Sequence, residues 1–147
     1  MGTIIKISSF TKEILAKTNI PVVFCSPSPV TERLLHESKH RQVSLNLPLA
    51  KALTAQDENS RLLHVTDEVL KIVPSGGAPV YLTDYEMLFD PRYRLDVLRL
   101  FCDISRKVKL AVHWPGTFES NTLYYAEPGC PDYHTFNIQN FDILCVA

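Results

Sequence analysis

The stretch that decides the fold is Ala78-Pro79-Val80-Tyr81-Leu82-Thr83-Asp84-Tyr85-Glu86-Met87-Leu88-Phe89-Asp90-Pro91. A short apolar, β-branched and aromatic run follows the turn residues Ser75-Gly76-Gly77, and this predicts a buried strand over Pro79–Thr83. Asp84 and Glu86 come next, so we expect carboxylates at the carboxyl edge of a sheet, where open α/β sheets bind ligands. Asp90-Pro91 then predicts a helix N-cap followed by proline at the first helical position.

Predicted strands and helices alternate over most of the chain. The predicted strands are Pro21–Cys25, Arg41–Leu47, Pro79–Thr83 at the centre of the sheet, Val108–Trp114 and Ile143–Ala147. The predicted helices are Ser8–Lys17, Val30–Ser38, Pro48–Ala55, Arg61–Val73 and Pro91–Lys107. This alternation predicts one α/β domain over residues 1–147, with a mostly parallel sheet between two helical layers.

Four shorter segments complete the prediction. Thr122–Ala126 and Tyr133–Ile138 flank a Pro-Gly-Cys-Pro turn and predict a small hairpin near the end of the sequence. Thr3-Ile4-Ile5 is β-branched, so an extended start remains an alternative to a helix there. Gln56–Ser60 is predicted to be a polar loop.

Composition and charge bound the function. The chain has 147 residues, 46% of them hydrophobic and 21% charged, and its formal net charge is −1. No block of lysines and arginines is present, so DNA contact is expected only as part of a larger complex. Four isolated cysteines, without a Cys-x-x-Cys pair, predict reduced thiols in a cytoplasmic protein. The sequence has no apolar run long enough to predict a membrane span.

The loop after the first predicted buried strand is the default phosphate site of an α/β fold. The window here is Cys25-Ser26-Pro27-Ser28-Pro29-Val30-Thr31-Glu32, which lacks the glycines and the lysine of a P-loop. Its two prolines have no N–H to offer a phosphate. We therefore expect no catalytic ATP hydrolysis and no cofactor, while weak anion binding by Ser26, Ser28 and Thr31, and with it ATP and magnesium, remains an alternative.

Asp84 and Glu86 would suit the second half of an ATPase site, where one carboxylate holds magnesium and another orients water. Without a phosphate-binding lysine, we favour the interpretation that they cap the strand end and face solvent. A set of arginines close to the last long predicted helix could reach a neighbouring subunit, although a solvated helix face is more usual. These arginines are Arg92, Arg94, Arg99 and Arg106.

Two further pairs have the residue types of a catalytic or metal site. Cys130 and His134 could form a nucleophile and base, but a turn separates them and no third orienting group is evident. His36 and His40 have the i, i+4 spacing of zinc ligands on a helix, but no third ligand is suggested nearby.

Five segments together resemble the BrxF family, the small P-loop-containing component of type 3 BREX phage-exclusion systems. They are Val43-Ser44-Leu45-Asn46-Leu47-Pro48-Leu49, Glu86-Met87-Leu88-Phe89-Asp90-Pro91, Asp96-Val97-Leu98-Arg99-Leu100, His113-Trp114-Pro115-Gly116 and Tyr125-Ala126-Glu127-Pro128-Gly129-Cys130-Pro131-Asp132-Tyr133. The match runs from about Pro21 to the end of the sequence. Its more specific parts are the Leu-Phe-Asp-Pro and Tyr-Ala-Glu-Pro-Gly segments.

The resemblance implies an AAA-like or RecA-like P-loop fold, a bacterial cytoplasmic setting and a role in anti-phage defence. The implied partners are larger BREX proteins, such as an ATPase or a methyltransferase, with a homo-oligomer as a further possibility. The sequence departs from the family at the phosphate loop, and the family's magnesium-binding aspartate falls on Thr83, one place before Asp84. We therefore expect a degenerate, non-hydrolysing binding or assembly subunit; an active ATPase with a non-standard site, or a DNA-contacting subunit, are the alternatives.

Overall fold

The structure is a computed structural model that describes residues 1–74 and 77–147, so the predicted turn residues Ser75 and Gly76 lie outside the described residues. The strands of the described part are β1 (Thr3–Ile5), β2 (Val22–Phe24), β3 (Arg41–Ser44), β4 (Val80–Thr83), β5 (Leu110–His113), β6 (Thr117–Glu119), β7 (Thr122–Tyr125), β8 (His134–Asn137) and β9 (Leu144–Val146). Its α-helices are α1 (Lys12–Lys17), α2 (Pro29–Glu37), α3 (Asn46–Thr54), α4 (Glu58–Ile72) and α5 (Val97–Ser105).

Two sheets organise the chain. Six strands pair in parallel in the order β1-β9-β2-β5-β4-β3, and three pair antiparallel in the order β6-β7-β8. The α/β prediction is confirmed, and the larger sheet is compatible with a Rossmann-like layout. The prediction that Pro79–Thr83 is the central strand is wrong, because β5 separates β4 from β2 and β4 lies one place from the edge.

Each face of the parallel sheet has its own apolar core, because successive side chains of a strand point to opposite faces. Val22 and Phe24 of β2 pack with Leu15 of α1 and Leu35 of α2 on one face. Val23 of β2 belongs to the larger core on the other face, together with side chains of the remaining three helices. The sheet is therefore sandwiched between two helical layers.

The last predicted strand inserts into the sheet. β9 pairs on one side with β1 and on the other with β2, so that Cys145 lies level with both Ile4 and Val23. Thr3–Ile5 is therefore a strand, as the alternative of an extended start predicts, and not part of a helix. The four cysteines are free thiols, and Cys145 is fully buried.

The predicted helix Pro91–Lys107 is interrupted. Pro91–Tyr93 is one 3-10 turn, Arg94 then takes a left-handed conformation at φ 50°, and α5 starts only at Val97. The cause is a second N-cap, because the Asp96 side chain accepts a hydrogen bond of 3.1 Å from the Arg99 N–H. Because Arg94 is left-handed and Asp96 caps a new helix, the turn Pro91–Tyr93 cannot continue into α5.

Two other helix starts differ from the prediction for the same reason. The Thr11 side chain accepts a 3.2 Å bond from the Ile14 N–H, so α1 begins after it and Ile7–Ser9 is a separate 3-10 turn. The Asp57 side chain accepts a 2.8 Å bond from the Ser60 N–H and starts α4 inside the predicted polar loop. Side-chain caps therefore set these boundaries more strongly than the apolar periodicity does.

The predicted hairpin is present as β7 and β8, where Leu123 pairs with Phe136, but it has a third strand, β6. Gly116, just before β6, allows this strand to approach β7. A Cβ atom at Gly116 would lie 1.8 Å from the Tyr124 carbonyl oxygen, which also accepts a 3.1 Å bond from the Trp114 indole N–H. Within the described residues, no helix is long and apolar enough to cross a membrane.

Candidate functional site

The loop between β2 and α2 presents few free hydrogen-bond donors. The Cys25 N–H donates to the Val146 carbonyl at 2.9 Å, and the Ser28 N–H donates to the Thr31 hydroxyl at 3.3 Å. Pro27 and Pro29 have no N–H. Most of the donors that a phosphate cradle would need are thus either missing or already used within the chain.

The side chains of the three predicted anion-binding residues differ in access. Ser26 is exposed and Ser28 is partly buried, whereas Thr31 is 1% exposed and its hydroxyl accepts the bond from Ser28. Glu32 adds a negative charge in the first turn of α2. Burial, and secondarily this carboxylate, raise the pKa of Tyr81 to about 12, so the Tyr81 phenol is neutral at pH 7.

Asp84 directly follows β4 and is held by the end of β3. Its backbone is left-handed at φ 51°, and its carboxylate accepts a 2.6 Å hydrogen bond from the Ser44 hydroxyl. The Asn46 N–H donates to the Asp84 carbonyl at 2.6 Å. These contacts fasten the ends of β3 and β4 together, and Asp84 remains exposed on its outer side.

Glu86 is held in a similar way, by one residue that the sequence analysis missed. The Asn46 side-chain amide donates to the Glu86 carboxylate at 2.8 Å and accepts from the Met87 N–H at 3.2 Å. Asn46 is the first residue of α3, whereas the sequence analysis placed it inside the predicted strand Arg41–Leu47, so no signal in the sequence identified it. Both carboxylates thus have a structural partner within the chain.

The two halves of the candidate site lie at the same edge of the sheet but not on adjacent strands. Phe24 is level with His113 of β5, and Leu82 of β4 is level with Val112. One strand therefore separates the Ser26 loop from Asp84, which corresponds to about 10 Å across two strand spacings. The structure brings these residues to one edge without bringing them into contact.

An aromatic cluster adjoins this edge, and the sequence analysis did not foresee it. The Phe89 ring stacks on Tyr125 with 3.8 Å between centroids, and it meets Trp114 edge-on at 5.8 Å. Trp114 in turn meets Phe136 at 5.8 Å. The cluster packs the small antiparallel sheet against the end of β5.

The Tyr85 side chain fills the space beneath this cluster. It is fully buried, and its hydroxyl donates to the His113 carbonyl at 2.6 Å. Burial, followed by the nearby Glu86 carboxylate, raises the pKa of Tyr85 well above its usual value. Tyr85 is therefore a neutral structural anchor between β4 and β5.

The other candidate pairs are not assembled as sites. His36 lies in α2 but His40 lies beyond its end, after Lys39 at φ 59°, so the two do not share a helix face. His134 makes a 2.7 Å contact from its Nδ1 to the Asp132 carbonyl, and Cys130 is exposed in the turn. Residues 1–74 and 77–147 contain no group of three potential metal-ligating side chains.

Three of the four candidate arginines contact groups of the same chain. Arg92 binds Asp90 at 2.7 Å, Arg106 lies 3.6 Å from Asp103, and the Arg99 guanidinium lies 5.2 Å from the centre of the Phe141 ring. Arg94 lines a shallow cavity beside β8. The structure thus distributes them over several local contacts rather than in one cluster.

Comparison with known proteins finds no relative of the chain. No family model, no curated protein and no solved structure matches the chain. The function therefore has to be argued from the residues themselves.

Proposed function

We propose that this chain is a degenerate, P-loop-like binding and assembly subunit of a BREX-type anti-phage defence system, and that it does not hydrolyse nucleotide. The observation that carries the second part is the loop between β2 and α2. It has no lysine, two of its positions are prolines, and the Ser28 N–H and Thr31 hydroxyl bind each other. A triphosphate would meet few donors there and would lie near Glu32.

The strand order supports the P-loop-like part of the proposal. The five strands β9-β2-β5-β4-β3 have one strand between the strand of the phosphate-loop position and the strand that carries the acids. This is the arrangement of the AAA-like and RecA-like sheets that the resemblance implies. The proposal is therefore that the sheet kept its layout while the loop lost its nucleotide chemistry.

The aromatic cluster supports the family part of the proposal. Phe89, Trp114 and Tyr125 come from three of the segments that carry the resemblance to BrxF, and the Phe89 ring contacts both of the others. Segments that are far apart in the sequence but depend on one packed cluster constrain each other. Their joint presence is thus better explained by one inherited arrangement than by three unrelated coincidences.

Exposed apolar side chains support the assembly role. Val30 in the first turn of α2 is 60% exposed, and Leu47 at the start of α3 is 64% exposed. Both helices begin at the carboxyl edge of the parallel sheet, where a nucleotide-binding relative would hold its ligand. We propose that this edge contacts a larger BREX protein, such as an ATPase or a methyltransferase, or another copy of the chain.

Calorimetric titration with ATP and magnesium tests the loss of nucleotide chemistry. We expect no saturable binding tighter than about 1 mM, which corresponds to roughly −4 kcal/mol, and no phosphate release. Binding in the micromolar range together with turnover would instead establish the alternative of an active ATPase with a non-standard site.

Co-purification of the tagged chain with the products of its native operon tests the assembly role. We expect the Val30→Asp, Leu47→Asp double variant to lose the partner, because a buried carboxylate at an apolar contact is costly. Leu63→Asp is the matched control, because Leu63 is 77% exposed on α4. Equal capture by wild type and double variant would contradict the assigned surface, and salt-sensitive retention of duplex DNA would favour a DNA-contacting subunit.

A further inference from the structure

A second cavity lies at the opposite edge of the parallel sheet, where β3, β4 and β5 begin. Its volume is about 410 Å³, which falls in the range of small-molecule sites. Leu15 and Ala16 of α1 and Pro79 before β4 give it an apolar floor. It shares no residue with the Ser26 loop, Asp84 or Glu86.

The rim of this cavity is cationic. Lys12, Lys39 and Lys109 line it, against the single carboxylate of Glu37. The Lys109 ammonium also donates to the Ala16 carbonyl at the end of α1, which fixes it at the cavity wall. Three lysine side chains and one carboxylate around an apolar floor favour a ligand with an apolar body and negative charge.

Two enclosed polar atoms lie at the same cavity. The Ser38 hydroxyl and His40 Nδ1 are inaccessible to solvent, and the Ser38 hydroxyl has no hydrogen-bond partner among the described residues. Because water cannot reach these atoms, Ser38 and His40 form part of the cavity wall, and the lysine side chains are the polar groups available to a ligand. Burial lowers the pKa of His40, a hydrogen bond with the Ser38 backbone opposes this, and the Lys109 ammonium lowers the pKa further, so the ring is neutral at pH 7.

We propose that this cavity binds a small organic anion whose apolar body rests on Leu15, Ala16 and Pro79 and whose carboxylate or phosphate is held by the lysine rim beside Ser38 and His40. The site does not depend on the proposed role in phage defence. It would place a ligand at the amino edge of the sheet and join α1 to the end of α2.

Amide NMR titrations with hexanoate, phenyl phosphate and hexylamine test the proposal. We expect saturable shifts at the Ser38, His40 and Lys109 amides with at least one of the two anions, together with a rise in the His40 pKa. The anion that binds more tightly identifies the preferred headgroup. Binding of hexylamine as tight as that of both anions, or no saturable shift with either anion, would overturn the proposal.

Variants of exposed rim residues provide the second test. Lys12→Gln combined with Lys39→Asn should weaken anion binding about tenfold, a loss of two charge-assisted contacts. Asparagine suits position 39 because the backbone there is left-handed at φ 59°. Lys17→Gln, on the same helix but outside the cavity lining, is the control and should change binding less than about twofold. Unchanged binding by the double variant would contradict the assigned site.

Discussion

The Phe89 ring lies face to face with the Tyr125 ring, with 3.8 Å between their centroids and 8° between their planes. Phe89 belongs to the 3-10 turn that follows β4, whereas Tyr125 ends β7. This one pair therefore connects the end of a parallel strand to the small antiparallel sheet. A fully buried ring on one side and a half-buried ring on the other make the contact measurable by mutation.

A double-mutant cycle with Phe89→Leu and Tyr125→Leu should reveal the coupling. Leucine keeps most of the volume but removes the ring, so Phe89→Leu alone should lower the free energy of unfolding by about 1–1.5 kcal/mol. The coupling between the two should be about 0.5–1.5 kcal/mol in urea unfolding. A cycle of Phe89→Leu with Phe10→Leu, which lies in the other core, should be additive. Additivity of the Phe89 and Tyr125 changes would refute the stacked pair.

Gly116→Ala should be among the most damaging small substitutions in the chain. The added Cβ would lie 1.8 Å from the Tyr124 carbonyl oxygen, so β6 would have to move away from β7. We expect a loss of about 2–3 kcal/mol in the free energy of unfolding. Gly129→Ala separates this clash from backbone strain, because Gly129 has open space but φ 97°, and it should cost only about 1–2 kcal/mol.

Asp90→Asn should give a pH-dependent change in stability. The hydrogen bond from the Arg92 side chain is the main cause that lowers the pKa of Asp90 below its usual 3.8. The folded state therefore favours the charged carboxylate, and its contribution is present above pH 3.8 and is lost as pH falls through the lower, folded-state pKa. Asparagine can still accept the 3.0 Å bond from the Arg92 N–H, so the substitution isolates the charge.

We expect the urea midpoint of Asp90→Asn to lie below that of the wild type at neutral pH and to approach it as the pH falls below 3.8. Asp67→Asn, on the exposed face of α4, is the control and should show no such convergence. A difference between wild type and Asp90→Asn that is constant from pH 7 to acid would contradict the ion pair.

Arg94→Gly should leave stability unchanged or increase it by up to about 1 kcal/mol, because Arg94 is left-handed and glycine takes that conformation without strain. In the continuous helix that the sequence pattern predicts, the same change would cost about 1 kcal/mol. Asp103→Gly within α5 supplies that reference value. Equal losses for the two variants, measured by urea unfolding, would restore the continuous helix.

The α/β class follows from the sequence because strands buried on both faces, such as Val22–Phe24, have a continuous apolar signature. The order of the strands does not follow, since the apolar pattern of Val80–Thr83 is the same whether or not β5 lies between it and β2. The helix break at Arg94 is not visible in the sequence, because the apolar periodicity continues past this residue although its backbone is left-handed. Only the Asp96 cap marks the new start.

The candidate site was predicted in part. Asp84 and Glu86 lie at the carboxyl edge of the sheet, as the end of an apolar run indicates, and the Ser26 loop is at the same edge. Their hydrogen-bond partners, Ser44 and Asn46, could not be predicted because they lie 40 residues away along the chain. These contacts can be predicted only when the pairing of β3 with β4 is known.

The position of β9 between β1 and β2 has a consequence for biosynthesis. Within residues 1–74 and 77–147, β1 pairs only with β9, so Thr3–Ile5 has no strand to pair with there until Leu144–Val146 has left the ribosome. At roughly 5–20 residues per second, the intervening 140 or so residues take about 7–28 s to translate. During that interval the nascent chain carries an unpaired β-branched segment, whose backbone is open to pairing with another chain.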